Sequence, residues 1–206
     1  MPTESAAPPV MAEQACAGHL LNALSRTGTD HLELEWRVGK HGPGGFVPGI
    51  PETAWHRLNA ALRSAGNSCV ESRCTEYVDP RSGAKFVSHA DGTAQWKTKE
   101  RLMVMDLDAA LRLSAVLETV RPADPASYAP VPGVFKRYKE RWSYSIDCWS
   151  IDLTRVVSTA DIDTDVCAYE VEVELCDTDV LFVRPVDNLV QWGTAVAREM
   201  MGLAGV

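Results

Sequence analysis

Positive charge is what this sequence has too little of. Twenty Lys and Arg stand against 28 Asp and Glu, a net charge of −8 over 206 residues. That excludes a general nucleic-acid-binding face, which needs a basic patch, but not a nucleic acid held by its terminal phosphates in a confined basic site. The six cysteines include no CxxC pair and no zinc-type spacing. They read as reduced, mostly buried apolar residues of an intracellular protein. The five histidines form no cluster. No run is long and apolar enough to cross a membrane. MPTESAAPPV has no basic start ahead of an apolar core, so it is not a secretory signal. KHGPGGFVPGIP at 40–51 lacks the Lys-Ser/Thr of a phosphate loop and reads as a connection.

What the sequence has is a spaced set of acids. YEVEVEL at 169–175 puts Glu170, Glu172 and Glu174 at every second position, with Val171, Val173 and Leu175 between them. Side chains two apart on a β-strand share a face, so three carboxylates line one surface. Like charges at that spacing repel, and a fold tolerates them when something positive sits among them. HLELEWRVG at 31–39 repeats the pattern, with Glu33, Glu35 and Arg37 on one face and Leu32, Leu34, Trp36 and Val38 on the other. A solvated sheet edge explains either strand alone. Two such strands far apart in the chain are the makings of one metal-binding surface.

The rest of the chain alternates too. Strands are expected at 69–78, 84–90, 94–106, 135–147 and 149–157, with Asp91-Gly92 marking a hairpin. Lys97, Lys99 and Arg101 share a face, as do Arg137, Lys139 and Arg141. Proline-rich 121–133 reads as a loop. Helices are expected at 10–25, with Met11, Ala15, Leu20, Leu21 and Leu24 as its apolar stripe, at 53–64 capped by Thr53, and at 187–201 capped by Asp187. LDAALRLSAVLETV at 107–120 is helix-forming by propensity. Read as a strand, it aligns Arg112, Ser114 and Glu118. Charged faces on so many strands suit either a sheet with a wet outside or a closed barrel with a polar lumen.

ELEWRVG at 33–39 and YEVEVEL at 169–175 resemble the first and last acidic motifs of the metal-dependent RNA 5′-triphosphatases of fungal, protozoan and DNA-virus mRNA capping, within the triphosphate tunnel metalloenzymes. RYKERWSY at 137–144 with WSIDLTRV at 149–156 is similar to that family's central basic strand and the strand after it. LRLSAVLE at 111–118 looks like its Arg-x-Ser-x-x-x-Glu strand, which makes 111–119 extended, and GFVPGI at 45–50 is similar to the turn after its first strand. Ser150 departs from the pattern, standing where the family usually has an arginine.

The resemblance implies a mainly β fold, an eight-stranded antiparallel β-barrel (the triphosphate tunnel) with flanking helices. Residues 1–28 would form a tail and short helix and 29–206 the catalytic domain, with residues 1 to about 9 disordered. It implies removal of the γ-phosphate from 5′-triphosphate RNA with Mg²⁺ or Mn²⁺ held by Glu33, Glu35 and Glu174. Glu170 and Glu172 would orient water, Glu172 acting as the water-positioning base. Arg37, Lys85, Lys99, Arg101, Lys139 and Arg141 would hold phosphates. Glu118, counted among the catalytic carboxylates, Asp152 and Thr154 would orient these cations. Arg155 falls on the opposite face. Implied partners are the 5′-triphosphate end of nascent RNA and a separate RNA guanylyltransferase, in nucleus or cytoplasm, with a homodimer left open. Competing readings are a tunnel-fold hydrolase of inorganic tripolyphosphate, thiamine triphosphate or free NTPs, or a cyclase; a non-catalytic polyphosphate binder, which has no use for five glutamates; and a β-sandwich with solvated charged faces.

Overall fold

The computed structural model of the chain describes residues 9–27, 31–128, 133–159 and 165–206. Its frame is a set of long alternating strands: β1 (Leu32–Gly42), β3 (Cys69–Val78), β4 (Lys85–His89), β5 (Ala94–Asp106), β6 (Leu111–Ala123), β7 (Phe135–Ile146), β8 (Trp149–Thr159) and β9 (Asp165–Leu175). They run β1-β6-β5-β4-β3-β7-β8-β9, and β9 pairs back onto β1 to close an eight-stranded antiparallel barrel. The expected architecture is therefore the one that forms. A ninth strand, β2 (Gly45–Pro48), hairpins onto the end of β1.

The barrel turns a charged face inward and, on the side of the helices, an apolar face outward. On β1, Leu32, Leu34, Trp36 and Val38 are buried beneath helices, and on β9 Val171, Val173 and Leu175 are buried on the same side. Helix α4 (Val186–Ala204) packs on β1 and β9, α2 (Glu52–Ser64) on β9 and α4, and α1 (Pro9–Thr27) on α4 and β5. Trp36, Trp149 and Trp192 meet edge to face in the shared core, at 5.3 Å and 5.2 Å between ring centroids. Such pairs add roughly 0.5–1.5 kcal/mol each beyond the area they bury.

β6 is extended against its own propensity. Leu111, Leu113 and Ala115 are fully buried against the helices, while Arg112, Ser114 and Glu118 take the other face. A helix would scatter these two sets, and β1 and β5 offer ladders on both edges. Tertiary pairing overrides the local preference.

Several expectations need correction. Part of 40–51 is strand, not loop, because Gly39 lets β2 approach: a Cβ there would lie 2.3 Å from the Val47 carbonyl oxygen. β6 runs to Ala123 into the expected loop, which then makes a turn of 3₁₀-helix at Pro125–Ser127. Neither Thr53 nor Asp187 caps a helix. Pro51 and Pro185 occupy the N-cap positions with no side-chain bond, and Asp187 lies inside the first turn. α3 (Val180–Val183) was not anticipated. On α1, Ala15 and Leu21 face outward while Cys16, Ala17 and Leu20 pack inward, and the side chain of Met11 lies outside the described set. Residues 1–8, on which the expected disorder falls, are outside the described residues.

Gly193 is where α4 touches the barrel: an added Cβ would lie 2.6 Å from the Trp36 ring, whose Nε1 donates to Thr194 Oγ1 at 3.1 Å. Gly193→Ala should therefore lower stability by about 1–3 kcal/mol in a urea melt, although alanine favours helix. An unchanged or raised midpoint would mean α4 is not seated there.

Candidate active site

Strand register builds the site. Pairing of β1 with β9 sets Glu35 opposite Glu174 and Arg37 opposite Glu172. Pairing of β9 with β8 sets Glu172 opposite Asp152 and Glu170 opposite Thr154. Pairing of β8 with β7 sets Thr154 opposite Arg141. These side chains and those of β3 to β6 enclose a lumen of about 340 Å³. Fifteen residues line it: seven glutamates, seven lysines or arginines, and Pro48. A larger apolar hollow, about 650 Å³, lies at Val38, Tyr169 and Met201 and holds no comparable set of ionisable groups. The chemistry belongs to the lumen.

The charges are tied together in pairs. Glu172 lies between two guanidinium groups, accepting a hydrogen bond from Arg141 at 3.1 Å and forming an ion pair with Arg37 at 3.1 Å. Burial works against its charge, but Arg37 and Arg141 hold its carboxyl down at about 2. Arg141 is aimed by three groups: it donates to Asp152 Oδ2 at 2.6 Å, Glu172 Oε2 at 3.1 Å and Thr154 Oγ1 at 3.1 Å. Asp152 in turn accepts from Ser150 Oγ at 2.6 Å. Ser150, at the position where the resemblance implies an arginine, orients Asp152.

Lys99 pairs with Glu33 and holds it low against the effect of burial. Glu35, which pairs with Arg37, is pushed up to about 8 by burial and by Glu172. Glu174 is pushed up to about 7 by burial and by Glu33. This is a cluster of oxygen donors that cannot all ionise as they stand, the condition a hard divalent cation relieves. The donor set fits Mg²⁺ or Mn²⁺. Among the described residues no group of three such side chains is already drawn to ligating geometry; Glu33 and Glu35 turn instead to Lys99 and Arg37.

The remaining site residues fall as follows. Glu118 accepts from Lys97 at 2.8 Å and lies 3.6 Å from Lys99. Glu170 accepts from Arg137 at 2.8 Å. Arg101 is exposed in an adjoining hollow of about 480 Å³ that also reaches Glu33, Glu35 and Arg37, and it forms no ion pair among the described residues. Arg155 lies on the outer face as expected, donating to Glu140 at 3.0 Å.

Sequence reasoning missed Glu76. Buried on β3, it pairs with Lys139 at 3.0 Å, Arg137 at 3.6 Å and Lys85 at 3.9 Å. It also left Arg137 out of the phosphate-facing set, although this residue is two positions from Lys139 on the same face. For Glu76 the signal was weak, because β3 carries charge on both faces. Glu71 and Arg73 point outward, to Arg63 at 2.7 Å and Glu140 at 3.3 Å.

The barrel is closed, with two acidic strands edge to edge and the basic strand β7 one strand away from them. Residues 107–186 match a family model described as mRNA capping enzyme, beta chain. A 5′ RNA triphosphatase of Paramecium bursaria Chlorella virus 1 is 28% identical over 176 residues, covering 82% of this chain and 88% of its own. The S. pombe RNA triphosphatase shares the fold with a TM-score of 0.72 at 17% identity, over 97% of this chain and 94% of that one. The RNA triphosphatase domain of a mimivirus capping enzyme does so at 0.60 and 14% identity, over 93% and 96%. These likenesses point to the capping-type RNA triphosphatases, the family already indicated by the motifs.

Burial raises the Glu76 carboxyl, but Lys139 and Lys85 outweigh it and leave it below its ordinary value. A depressed carboxylate contributes stability above its unfolded pKa and loses it as pH falls through the folded one. The stability gap between wild type and Glu76→Gln should thus be full above about pH 5 and narrow towards pH 3. Chemical melts across that range measure it; a gap that widens on acidification would contradict the pairing.

Proposed function

We propose that the chain is an RNA 5′-triphosphatase of mRNA capping, hydrolysing the γ-phosphate of 5′-triphosphate RNA to leave a 5′-diphosphate end. The observation that carries this reading is the neutral lumen, with Glu35 opposite Glu174 on one wall and Arg141 aimed from the other. The motif order and the viral relative support RNA ends over free tripolyphosphate.

Phosphoryl transfer asks the protein for position and charge neutralisation. A triphosphate brings several negative charges into a lumen where seven glutamates stand formally against seven lysines or arginines, so it needs companion cations. Glu33, Glu35 and Glu174 would hold Mg²⁺ or Mn²⁺, which supplies positive charge at the γ-phosphoryl oxygens. Arg141, Lys139, Arg37 and Lys99 keep their carboxylate partners and offer their remaining N–H donors to phosphate oxygens, with Lys85 and Arg101 at the edge of the set. The Arg141 fork grips two oxygens, and Asp152 and Thr154 keep it in plane. Glu118 steadies Lys97 and Lys99. Glu170 and Glu172 accept hydrogen bonds from the attacking water and set its line of approach. Held as an anion by two arginines, Glu172 suits orienting that water better than keeping its proton. The diphosphate product is the substrate for a guanylyltransferase, which sets the work inside the cell, in nucleus or cytoplasm.

Release of labelled γ-phosphate from triphosphate-ended RNA, with and without divalent metal, tests the function. Metal-dependent release is expected, falling to background in Glu35→Ala. Arg141→Lys should lose about a hundredfold in turnover, since a point charge replaces a fork, whereas Arg155→Ala should stay within about twofold. A sensitive Arg155 or an indifferent Arg141 would overturn the assigned facing, and faster turnover of tripolyphosphate or thiamine triphosphate than of RNA would overturn the substrate.

A further inference from the structure

The lumen is narrow and almost wholly charged, so it suits phosphates and leaves the bases of an RNA outside. On the outer face of the same wall, register brings Tyr77, Phe86 and Trp96 side by side across β3, β4 and β5. Tyr128 lies over them, stacked on Phe86 at 4.5 Å with 16° between the rings, and 4.5 Å from Tyr77. Phe86 is buried beneath it, but Trp96 remains 39% exposed.

Cations flank this aromatic surface. Lys136 is opposite Tyr77, with its ammonium 5.9 Å from that ring, and Arg121 is opposite Trp96. Arg81 sits in the turn 79–84. None of the three forms an ion pair among the described residues. The acids beside them in sequence are engaged in their own turns: Asp79 accepts from Arg81 N and Ser82 Oγ, and Asp124 from Ala126 N. In a chain of net charge −8, three cations with no ion pair among the described residues around the exposed Trp96 and the half-buried Tyr77 and Tyr128 form a surface complementary to an anion with stacking rings.

The surface is also within reach of the lumen. Lys85 and Lys97, chain neighbours of Phe86 and Trp96, point inward. β3 ends at Val78 and β4 begins at Lys85, opposite Lys97, while β5 runs on to Asp106 without β4 beside it. The wall is low here, and the turn 79–84 is its lip. We infer that single-stranded RNA leaves the tunnel over this lip and stacks its first bases on Trp96 and its neighbours, with Arg81, Arg121 and Lys136 on its backbone phosphates. Aromatic faces interleaved with cations hold single strands with little regard to sequence.

The inference rests on action at RNA ends. Its test compares KM for triphosphate RNAs of one and about ten nucleotides, and for tripolyphosphate, in wild type, Trp96→Ala and the double variant Arg121→Glu with Lys136→Glu. The double variant touches no core residue, so it stands if the tryptophan variant unfolds. The longer RNA should have the lower KM in wild type. The variants should raise that KM about fivefold or more and leave tripolyphosphate turnover unchanged. Equal losses on both substrates, or an unchanged KM for the longer RNA in a folded variant, would overturn the platform. Failure of the function itself reads out separately, as a wild type that turns over tripolyphosphate but not RNA ends.

Discussion

Charge compensation inside a closed barrel is the constraint on which the structure depends. Lumen residues here are held away from water, where an unpaired carboxylate or guanidinium costs several kcal/mol. Each Glu brought into the lumen must therefore be met by a Lys or Arg, and most of these come from the strand next to it in the sheet. Glu172 between Arg37 and Arg141, and Glu76 among Lys139, Arg137 and Lys85, are the two knots of this arrangement. The cations needed to grip phosphate are in place before substrate arrives, held by carboxylates.

The outside follows from the inside. Where one face of a strand is given to charge and the other is apolar, as on β1 and β9, the apolar face must be covered. That is why α4 seats Gly193 against Trp36 and why three tryptophans interlock beneath the helices. An ordinary sandwich would have its charged faces in solvent. Here β9 pairs with β1 and turns them into a lining.

The acidic strands were legible in the sequence because a period of two in Glu and Val admits almost no other reading, and β7 was legible for the same reason. β6 was not: its residues favour helix, and only two flanking ladders make it a strand. Glu76 stayed hidden because Glu71 and Arg73 on the outer face of β3 pair with Arg63 and Glu140, which erases the contrast between faces. The helix starts were misread because Pro51 and Pro185 begin them through a fixed backbone angle, with no capping side chain to announce it. Sequence shows which face a residue takes where alternation is clean. Partners across the lumen appear only when the barrel is closed.

The central claim is that a neutral lumen accepts a polyphosphate only together with cations. Calorimetric binding of imidotriphosphate, whose bridging nitrogens resist hydrolysis, tests it most directly. Weak binding is predicted when metal is chelated, and strong binding with Mn²⁺, each partner tightening the other by the same factor. Equally tight binding of the anion with and without Mn²⁺ would contradict the account.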